Sequence, residues 1–248
     1  MALDNVFVNY TSGVDDPGNG AIGSPVKTIN YGIGLANPEG NIYLRGGTHT
    51  TTTYIGNNIP SGSSGNPTII QNYDDEDVVI QRSSGDTTAL MYISLGGGTA
   101  RSYITIIGSA GHPIIMDGDS NRAQGGIYFQ SPGSGSHSNI TLAYLEIRNT
   151  DDSGINTGKS TDLWFHDLEI HDVGTTTNLD HCIYVNQTTN SLFEDLELYN
   201  AFARGIQAQS SGIAASGNTF RRLNAHNNGA QGIAMNSGVG NIIEYCLS

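Results

Sequence analysis

One full copy of the repeat that decides the fold occupies residues 154–172, with the sequence GINTGKSTDLWFHDLEIHD. It opens on a small residue followed by isoleucine and closes on a Leu-Glu-Ile block. The opening pair recurs at positions 126, 154, 182, 205 and 232, at intervals of 28, 28, 23 and 27 residues. A period of about 20–30 residues indicates a repeat architecture. Each period contains short alternating stretches and none with helical spacing, so the sequence predicts parallel strands stacked into a solenoid.

Aligning the repeats predicts which residues are neighbours in space. Equivalent residues of successive coils are expected about 4.8 Å apart, the spacing of adjacent strands. Three columns should face inward: Leu142, Phe165, Phe193, Phe220 and Ile243; Leu145, Leu168, Leu196, Leu223 and Cys246; and Ile147, Ile170, Leu198 and Ala225. Stacked in this way they bury a continuous core that no single coil could bury. A fourth column, Asn149, Asp172, Asn200 and Asn227, falls at strand ends, where Asn and Asp suit a turn.

The composition fits one all-β domain and argues against some partners. The chain has 248 residues with 33 glycines, and its net charge is −13 with only 10 lysines and arginines. This charge argues against nucleic acid and anionic membranes, because phosphate binding needs a basic face. An anionic substrate stays open, since a few local cations in a groove can act against the global charge. Cys182 and Cys246 fall in different columns, so no disulfide is expected.

The chain divides into three predicted parts. Residues 1–40 hold an N-terminal strand and a capping helix near residues 25–36, opened by Ser24 as N-cap and Pro25 as the first helical residue. Residues 41–125 form irregular first coils, and residues 126–248 form regular coils that stop mid-coil. Strands are predicted over residues 6–8, 41–44, 68–71, 78–80, 90–95, 104–107 and 114–116. The last coil is expected to be uncapped, and its open edge favours self-association.

Several segments resemble the opening coils of pectate-lyase-like right-handed parallel β-helix proteins. They are residues 6–8, 15–20, 24–29, 40–48, 65–69 and 102–106, together with His181-Cys182-Ile183-Tyr184-Val185, which is similar to their HGIY coil with Cys in place of Gly. The resemblance covers nearly the whole chain. It implies an all-β, right-handed, single-stranded parallel β-helix, to which the residues themselves add the short N-terminal capping helix and the uncapped C-terminal coil. The implied location is secreted or cell surface, with the signal peptide missing from this sequence.

The resemblance also implies where chemistry would occur. Lyases of this fold bind an acidic sugar chain along one exterior sheet, and they need a carboxylate neutraliser, a base and an acid. The aligned columns bring Asp152, Asp180, His181, Tyr184 and Arg204 to one exterior face, with Lys159 leaving the same strand column. The predicted catalytic residues are His181, Arg204, Tyr184 and Lys159. The predicted substrate-binding residues are Tyr128, Asn156 and Gln207, which lie in the outward column with Tyr184.

A calcium site is a further implication of the resemblance. Residues 149–155 resemble the Asn-Ser-Asp-Asp-Gly segment of one pectate-lyase group, in which the aspartates hold Ca²⁺, although Ser153 is an extra residue here. The implied ligands are Asp151, Asp152 and Asp180, which offer the hard oxygen atoms that Ca²⁺ prefers. Alternatively, the aspartates are an ordinary turn pair, and His181 is a turn residue bonded to backbone. Arg204 could also pair with Asp180 in a solvated salt bridge.

A second outward column contains Glu146, Glu169 and Glu197. Like charges directly opposite on adjacent strands destabilise a sheet. Three arrangements relieve the repulsion: the side chains splay into water, a cation sits among them, or other side chains of the same strands screen them. The candidates for screening are Arg148, His171, Tyr199 and His226. Rows of carboxylates are also compatible with glycoside hydrolysis.

Three functions therefore stay open. The favoured one is a polysaccharide lyase that acts on an acidic, uronate-containing polysaccharide by β-elimination. The first alternative is a non-catalytic carbohydrate-binding or adhesive surface or phage protein, and the second is a glycoside hydrolase. An ultraviolet-absorbing unsaturated product formed from acidic polysaccharides identifies the lyase. New reducing ends without that absorbance identify the hydrolase, and binding without either product identifies the binding protein.

Overall fold

The computed structural model describes residues 2–83, 88–94, 98–119, 124–176, 180–209 and 214–248. Within these ranges the chain forms one short helix, α1 (Ile29–Leu35), and 19 strands. The strands are β1 (Leu3–Val8), β2 (Ala36–Leu44), β3 (Gly47–Thr51), β4 (Thr68–Asn72), β5 (Val78–Arg82), β6 (Met91–Ile93), β7 (Ser102–Ile107), β8 (Ile114–Asp117), β9 (Ile127–Phe129), β10 (His137–Thr150), β11 (Ile155–Thr157), β12 (Ser160–Val173), β13 (His181–Val185), β14 (Thr188–Thr189), β15 (Leu192–Tyr199), β16 (Arg204–Ala208), β17 (Thr219–His226), β18 (Ile233–Met235) and β19 (Ile242–Glu244). Each predicted strand is found, except that residue 95 of the 90–95 strand lies outside the described ranges.

The strands form two parallel sheets around one core. Sheet 1 contains six strands in the order β18-β16-β13-β11-β9-β6, and sheet 2 contains the other thirteen. The longest strands of sheet 2, β10 and β12, bend in the middle, so this sheet covers two faces of each coil. For example, β10 pairs with β7 before its bend and with β8 after it. The predicted right-handed parallel β-helix is confirmed.

The bends are made by residues with left-handed backbone. A row of such residues crosses sheet 2, within β10, β12, β15 and β17 and just after β19: Tyr144, Asp167, Asp195, Arg222 and Tyr245, with φ between 49° and 55°. A second row is the predicted turn column, Asn149, Asp172, Asn200 and Asn227, with φ between 53° and 56°. This backbone is unfavourable for most L-residues by about 1–2 kcal/mol, and Asn and Asp tolerate it best. The turn column therefore has a structural role, as predicted.

The three predicted inward columns are confirmed by the strand register. Leu142, Phe165, Phe193, Phe220 and Ile243 are successive register partners, and the other two columns align in the same way as far as Leu223 and Ala225. The phenylalanine rings follow one another along the solenoid axis: Phe165 and Phe193 meet edge to face with centroids 5.2 Å apart, and Phe193 and Phe220 are stacked with centroids 5.0 Å apart. All three rings are buried. The core is therefore one continuous stack of like residues.

The small residue of each repeat pair is required by close packing. Gly154 does not have a positive φ, but a Cβ atom added to it would lie 2.5 Å from Cγ2 of Ile170. Cys182 occupies the equivalent position in β13, where it is buried with Sγ 3.2 Å from the Ile170 carbonyl oxygen. Cys182, which stands in place of the Gly of the HGIY coil, thus lies within a strand and not in a turn. Cys182 and Cys246 are both free thiols, as expected.

Helix α1 begins later than Ser24 and Pro25 indicated. Its N-cap is Thr28, whose Oγ1 accepts a hydrogen bond from the Tyr31 N–H at 3.3 Å. The preceding residues are extended along β1, because the Val26 N–H donates to the Phe7 carbonyl at 2.9 Å. That pairing buries Val26 and delays the helix. In the part of the chain that the structure describes, no helix is long and apolar enough to cross a membrane.

Both ends of the described solenoid match their predicted character. Ile29 and Ile33 of α1 are buried in the core, so the helix covers the first coil. At the other end, β19 forms the edge of sheet 2, and Ile243 is 48% exposed although it is in register with Phe220. Tyr245 is 83% exposed. Self-association through this apolar edge stays a prediction.

Replacing Phe193 with alanine should destabilise the protein by about 3–5 kcal/mol, because it leaves a cavity in the middle of the phenylalanine column. Phe202→Ala is the matched control, since its ring is exposed and its loss should change stability by about 0.5 kcal/mol or less. Urea unfolding followed by circular dichroism measures both effects. Equal stability of the two variants would contradict the stacked core.

Candidate functional site

Sheet 1 carries the predicted substrate-binding column. Tyr128, Asn156, Tyr184 and Gln207 are successive register partners, as the repeats predicted. Tyr92 of β6 extends the column by one coil, and its ring centroid lies 6.0 Å from that of Tyr128. Sequence reasoning missed Tyr92 because its strand lacks the small residue–isoleucine pair. The one available signal was the alternation of inward-facing and outward-facing residues along β6.

The column is only partly available to a ligand. Tyr128 and Asn156 line a shallow depression of about 270 Å³, together with Gln130, Ser131 and Asn186. Gln207 is buried, so its predicted role as a direct substrate contact is not supported. Alternation sends Gln207 outward, but neighbouring side chains cover it. The open part of the column is therefore the half formed by β9 and β11.

Three of the four predicted catalytic residues lie together. His181 and Arg204 are register partners on β13 and β16, and the ring centroids of His181 and Tyr184 are 5.6 Å apart. Lys159 lies beyond the C-terminal end of β11, whereas His181 begins β13, so Lys159 is at the opposite end of the sheet-1 strands. The structure therefore groups His181, Tyr184 and Arg204, and it separates Lys159 from them.

His181 is buried, so the expectation that it lies on the exterior face is wrong. Its side chain has no exposed surface, and among the described residues neither ring nitrogen has a hydrogen-bond partner. The alternative that the ring bonds to the backbone is not seen either. Strand alternation predicts on which face of the sheet a side chain lies but not how deeply it is buried, and here the ring centroid of Tyr184 lies 5.6 Å from that of His181. A buried polar group without a partner is unusual and calls for an explanation.

Burial sets the protonation of two groups in this region. Burial, together with the positive charge of Arg204 and against the opposing charge of Asp180, lowers the pKa of His181 to about 4. The imidazole is therefore neutral at pH 7 and has a lone pair that can accept a proton. Burial also raises the pKa of Tyr128, with a contribution from the negative charge of Asp152. The Tyr128 hydroxyl therefore stays protonated.

Amide side chains hold the guanidinium group of Arg204. Its Nε donates to Oε1 of Gln231 at 2.6 Å, and its Nη1 donates to Oε1 of Gln207 at 2.8 Å. Gln207 in turn donates to Gln209, whose Oε1 also accepts a hydrogen bond from Asn236 at 3.1 Å. Through its hydrogen bond with Nη1, Gln207 orients the guanidinium group of Arg204. The contacts of Arg204 with Gln207 and Gln231 both use amide oxygens as acceptors.

The three aspartates implied as calcium ligands do not fit a metal site. Asp152 accepts a hydrogen bond from the N–H of Ser153 at 2.6 Å, and Asp180 accepts hydrogen bonds from the backbone of residues 175–176 at 3.2 and 3.3 Å. Such contacts are typical of turns. Among the residues that the structure describes, no group of three or more His, Cys, Asp or Glu could hold a metal ion. The contacts of Asp152 thus agree with the turn alternative for Asp151 and Asp152, and Asp180 holds the backbone of the neighbouring residues 175–176.

The three glutamates predicted to form a column are aligned on sheet 2. Glu146, Glu169 and Glu197 are register partners on β10, β12 and β15. They line a cleft of about 390 Å³ together with Asp167 and Asp195. This cleft is on a different face of the solenoid from His181 and Arg204. It is the more acidic of the two surfaces.

A stack of rings screens the glutamates. His171, Tyr199 and His226 follow one another with centroids 4.7 and 5.0 Å apart and nearly parallel planes. Each ring contacts the glutamate of the preceding coil: His171 Nε2 lies 3.3 Å from Glu146, the Tyr199 hydroxyl donates to Glu169 at 2.7 Å, and His226 Nε2 lies 3.2 Å from Glu197. Of the arrangements predicted for this column, screening by neighbouring side chains is the one observed.

Phe202 is an exposed aromatic residue that sequence reasoning missed. It lies in the turn between β15 and β16 and is 45% exposed. Its N–H donates to the Val173 carbonyl at 2.8 Å, and the next residue donates to the Asp180 carbonyl at 3.0 Å. Phe202 therefore borders the turn that precedes His181. An aromatic residue in a turn of a repeat was the available signal.

Comparisons with known proteins agree with this architecture. Residues 102–247 match the family described as "Right handed beta helix region". Similar solved structures include ORF18 of Geobacillus virus E2, with TM-score 0.64, 14% identity and coverage of 84% of this chain and 40% of that protein. An alginate lyase from Paenibacillus sp. str. FPU-7 gives TM-score 0.59, 16% identity and coverage of 87% and 72%. The pectate lyase Pel9A gives TM-score 0.62, 16% identity and coverage of 91% and 55%.

These likenesses establish the fold alone, because the sequence identities are too low to carry an activity over to this chain. The chain spans 40% of the viral protein and 55% of the pectate lyase. No curated protein matches the sequence. The family match covers more than half of the chain, including the coils that carry His181, Tyr184 and Arg204. The protein therefore belongs to the right-handed β-helix family.

Proposed function

We propose that this protein is carbohydrate-active and cleaves an acidic, uronate-containing polysaccharide by β-elimination on sheet 1. The observation that carries the proposal is the buried imidazole of His181, which has no hydrogen-bond partner among the described residues and lies beside Tyr184 and Arg204. Unpartnered buried groups and lowered pKa values are concentrated at functional sites. Solved structures with the same fold include an alginate lyase and a pectate lyase, which supports the substrate class by analogy.

Each residue of the group has a role in the proposed reaction. Arg204 neutralises the substrate carboxylate, since a planar guanidinium can donate two parallel hydrogen bonds to it. His181, neutral at pH 7, removes the proton α to that carboxylate. The electrons of that C–H bond form a C=C bond, the glycosidic C–O bond breaks, and Tyr184 protonates the leaving oxygen. The product is an unsaturated uronide and a new free sugar end.

Access to His181 requires movement of the side chains around it. The ring has no exposed surface, whereas Tyr184 and Arg204 are partly exposed. A substrate carboxylate that draws Arg204 outward would uncover the imidazole and provide it with a partner. Catalytic hydrogen bonds commonly tighten only in the substrate complex. Tyr128 and Asn156, whose depression lies along the same column, would hold the adjacent sugar units.

The burial of His181 also favours a second candidate function. If the ring stays covered, sheet 1 presents Tyr128, Asn156, Tyr184 and Arg204 as a binding surface without a base. The protein would then be a non-catalytic carbohydrate-binding or adhesive β-helix protein. The glycoside-hydrolase alternative has less support, since the ring stack already holds Glu146, Glu169 and Glu197 in hydrogen bonds.

Arg204→Ala should lower turnover of acidic polysaccharides by about 10²–10⁴-fold, with Arg204→Lys nearly as poor, because an ammonium group cannot replace a bidentate guanidinium. Absorbance of the unsaturated product measures the rate. Lys27→Ala, which removes one positive charge from an exposed residue in the segment before α1, is the matched control and should keep full turnover. Wild-type activity in Arg204→Ala would refute this site and direct attention to the glutamate cleft. Binding of the polysaccharide without any product would support the binding-only function.

Lowering the pH from about 6.5 to about 4 should destabilise the wild type relative to His181→Gln. The unfolded imidazole binds a proton near pH 6.5 and the folded one only near pH 4, so the unfolded state gains protons first. The difference should reach at most about 3 kcal/mol and stay constant below that range. Urea unfolding of both proteins at several pH values measures it. Burial also lowers the pKa of His49 and His137, and the comparison with His181→Gln cancels their contributions. Parallel stability curves would contradict a buried, neutral His181.

Chelation of divalent cations should leave turnover unchanged. Asp151, Asp152 and Asp180 do not form a ligand set, and Arg204 supplies the positive charge that the substrate carboxylate needs. The rate of product formation in excess EDTA, compared with added Ca²⁺, measures the dependence. Loss of activity in EDTA and its recovery with Ca²⁺ would show that the implied calcium site forms after all.

A further inference from the structure

Trp164 is the single tryptophan of the chain and lies on the outer surface of sheet 2. Its neighbours in β12, Leu163 and Phe165, are buried, whereas Trp164 is 45% exposed. An isolated exposed apolar residue needs no explanation by itself. The contacts below the indole ring, however, set this residue apart.

A buried carboxylate fixes the indole ring. Nε1 of Trp164 donates to Oε1 of Glu194 at 2.8 Å, and Glu194 is buried. The other oxygen of Glu194 accepts hydrogen bonds from Nε of Arg221 at 2.6 Å and Nη2 of Arg222 at 2.7 Å. We call Trp164, Glu194, Arg221 and Arg222 the indole platform. It joins β12, β15 and β17, three successive strands of sheet 2.

The charge of Glu194 is retained because of these partners. Burial alone would raise its pKa, but hydrogen bonds from Arg221, Trp164 and Arg222 outweigh burial and lower the pKa. The ring of His166 lies 4.2 Å from that of Trp164 and supports it from one side. A side chain that is locked by packing and by a second layer of hydrogen bonds is preorganised for binding. The exposed indole is thus held in one orientation before any ligand arrives.

We propose that the indole platform is a second saccharide-binding site, distinct from the candidate site on sheet 1. A pyranose ring presents an apolar C–H face and an edge of oxygen atoms. The C–H face fits the flat indole surface, and the oxygen atoms fit the guanidinium N–H groups beside it. Within the described residues, Arg221 and Arg222 bind Glu194 and Asp195 through Nε and Nη2, so their Nη1 groups remain to donate to hydroxyl or carboxylate oxygens.

The size of the surface favours a saccharide over a folded protein. The register partners of Trp164 on either side, Thr141 and Leu192, are only partly exposed, and charged side chains border the ring. A stable protein interface buries about 800 Å² on each partner and has an apolar centre. One aromatic ring with a rim of donors matches a narrow chain instead. The proposal shares the saccharide class with the proposed function but does not depend on turnover.

The single tryptophan provides a direct measurement. Fluorescence excited where tyrosine does not absorb reports on Trp164 alone, and stacking of a sugar ring should change its intensity and wavelength. The titrations use galacturonate, alginate and xylan tetrasaccharides. They are made on Arg204→Ala, a variant that lacks the proposed turnover and leaves sheet 2 unchanged. A saturable spectral change with any of the three is expected, and no change with all three would overturn the proposal.

Calorimetric titrations of variants then test the residue itself. Trp164→Ala should weaken the binding at the platform by about tenfold or more, as expected for a central aromatic contact. Trp164→Phe should retain part of the affinity, since it keeps a ring but loses the hydrogen bond to Glu194. Tyr245→Ala, which removes another exposed aromatic side chain, is the matched control and should bind like its parent. Unchanged affinity in Trp164→Ala would overturn the proposal.

The two proposals fail in distinguishable ways. A fluorescence change in Arg204→Ala, together with no unsaturated product from the wild type, supports the platform and rejects the lyase. An unsaturated product formed by the wild type without any fluorescence change supports the lyase and rejects the platform. Circular dichroism of Trp164→Ala confirms folding, and Trp164→Phe carries the test if the alanine variant does not fold. A larger spectral change with the two acidic saccharides than with xylan would support the contribution of Arg221 and Arg222.

Discussion

The register of backbone hydrogen bonds between successive coils is the constraint on which the rest of the structure depends. Phe165, Phe193 and Phe220 meet because each strand of sheet 2 pairs with the next at the equivalent residue. A slip of one residue would turn every ring to the outside. Because the pairing is parallel and repeats from coil to coil, it aligns outward residues as strictly as inward ones. The core and both candidate surfaces therefore follow from the same register.

This alignment also creates problems that the protein must solve locally. It stacks Glu146, Glu169 and Glu197 on adjacent strands, where like charges repel. The ring stack on the same strands provides a partner for each carboxylate, and every contact links one coil to the next. The platform around Glu194 works by the same principle, with arginines in place of rings. In sheet 2, the aligned acidic side chains thus form contacts that link successive coils.

On sheet 1, the imidazole of His181 has no such partner within the part of the chain that the structure describes. Leaving the ring nitrogens of His181 without hydrogen bonds costs about 1–3 kcal/mol. Packing of the core columns offsets this unfavourable free energy, since each coil packs against both of its neighbours. Local inconsistency within an otherwise regular structure is expected at functional sites. The proposed β-elimination gives His181 the partner that it lacks.

The sequence by itself determined the parallel solenoid, the three inward columns and the turn residues such as Asn200, because strand period and repeat period together fix which residues are equivalent. It also predicted that His181 and Arg204 are neighbours, since adjacent coils bring equivalent positions together. It did not predict that His181 and Gln207 are buried, that α1 begins at Ile29, or that Trp164, Glu194 and Arg221 share hydrogen bonds. Those features depend on side-chain size, on left-handed bends and on packing across several coils. Only the tertiary structure decides them, because the burial of a side chain depends on the side chains packed around it and cannot be read from the repeat period.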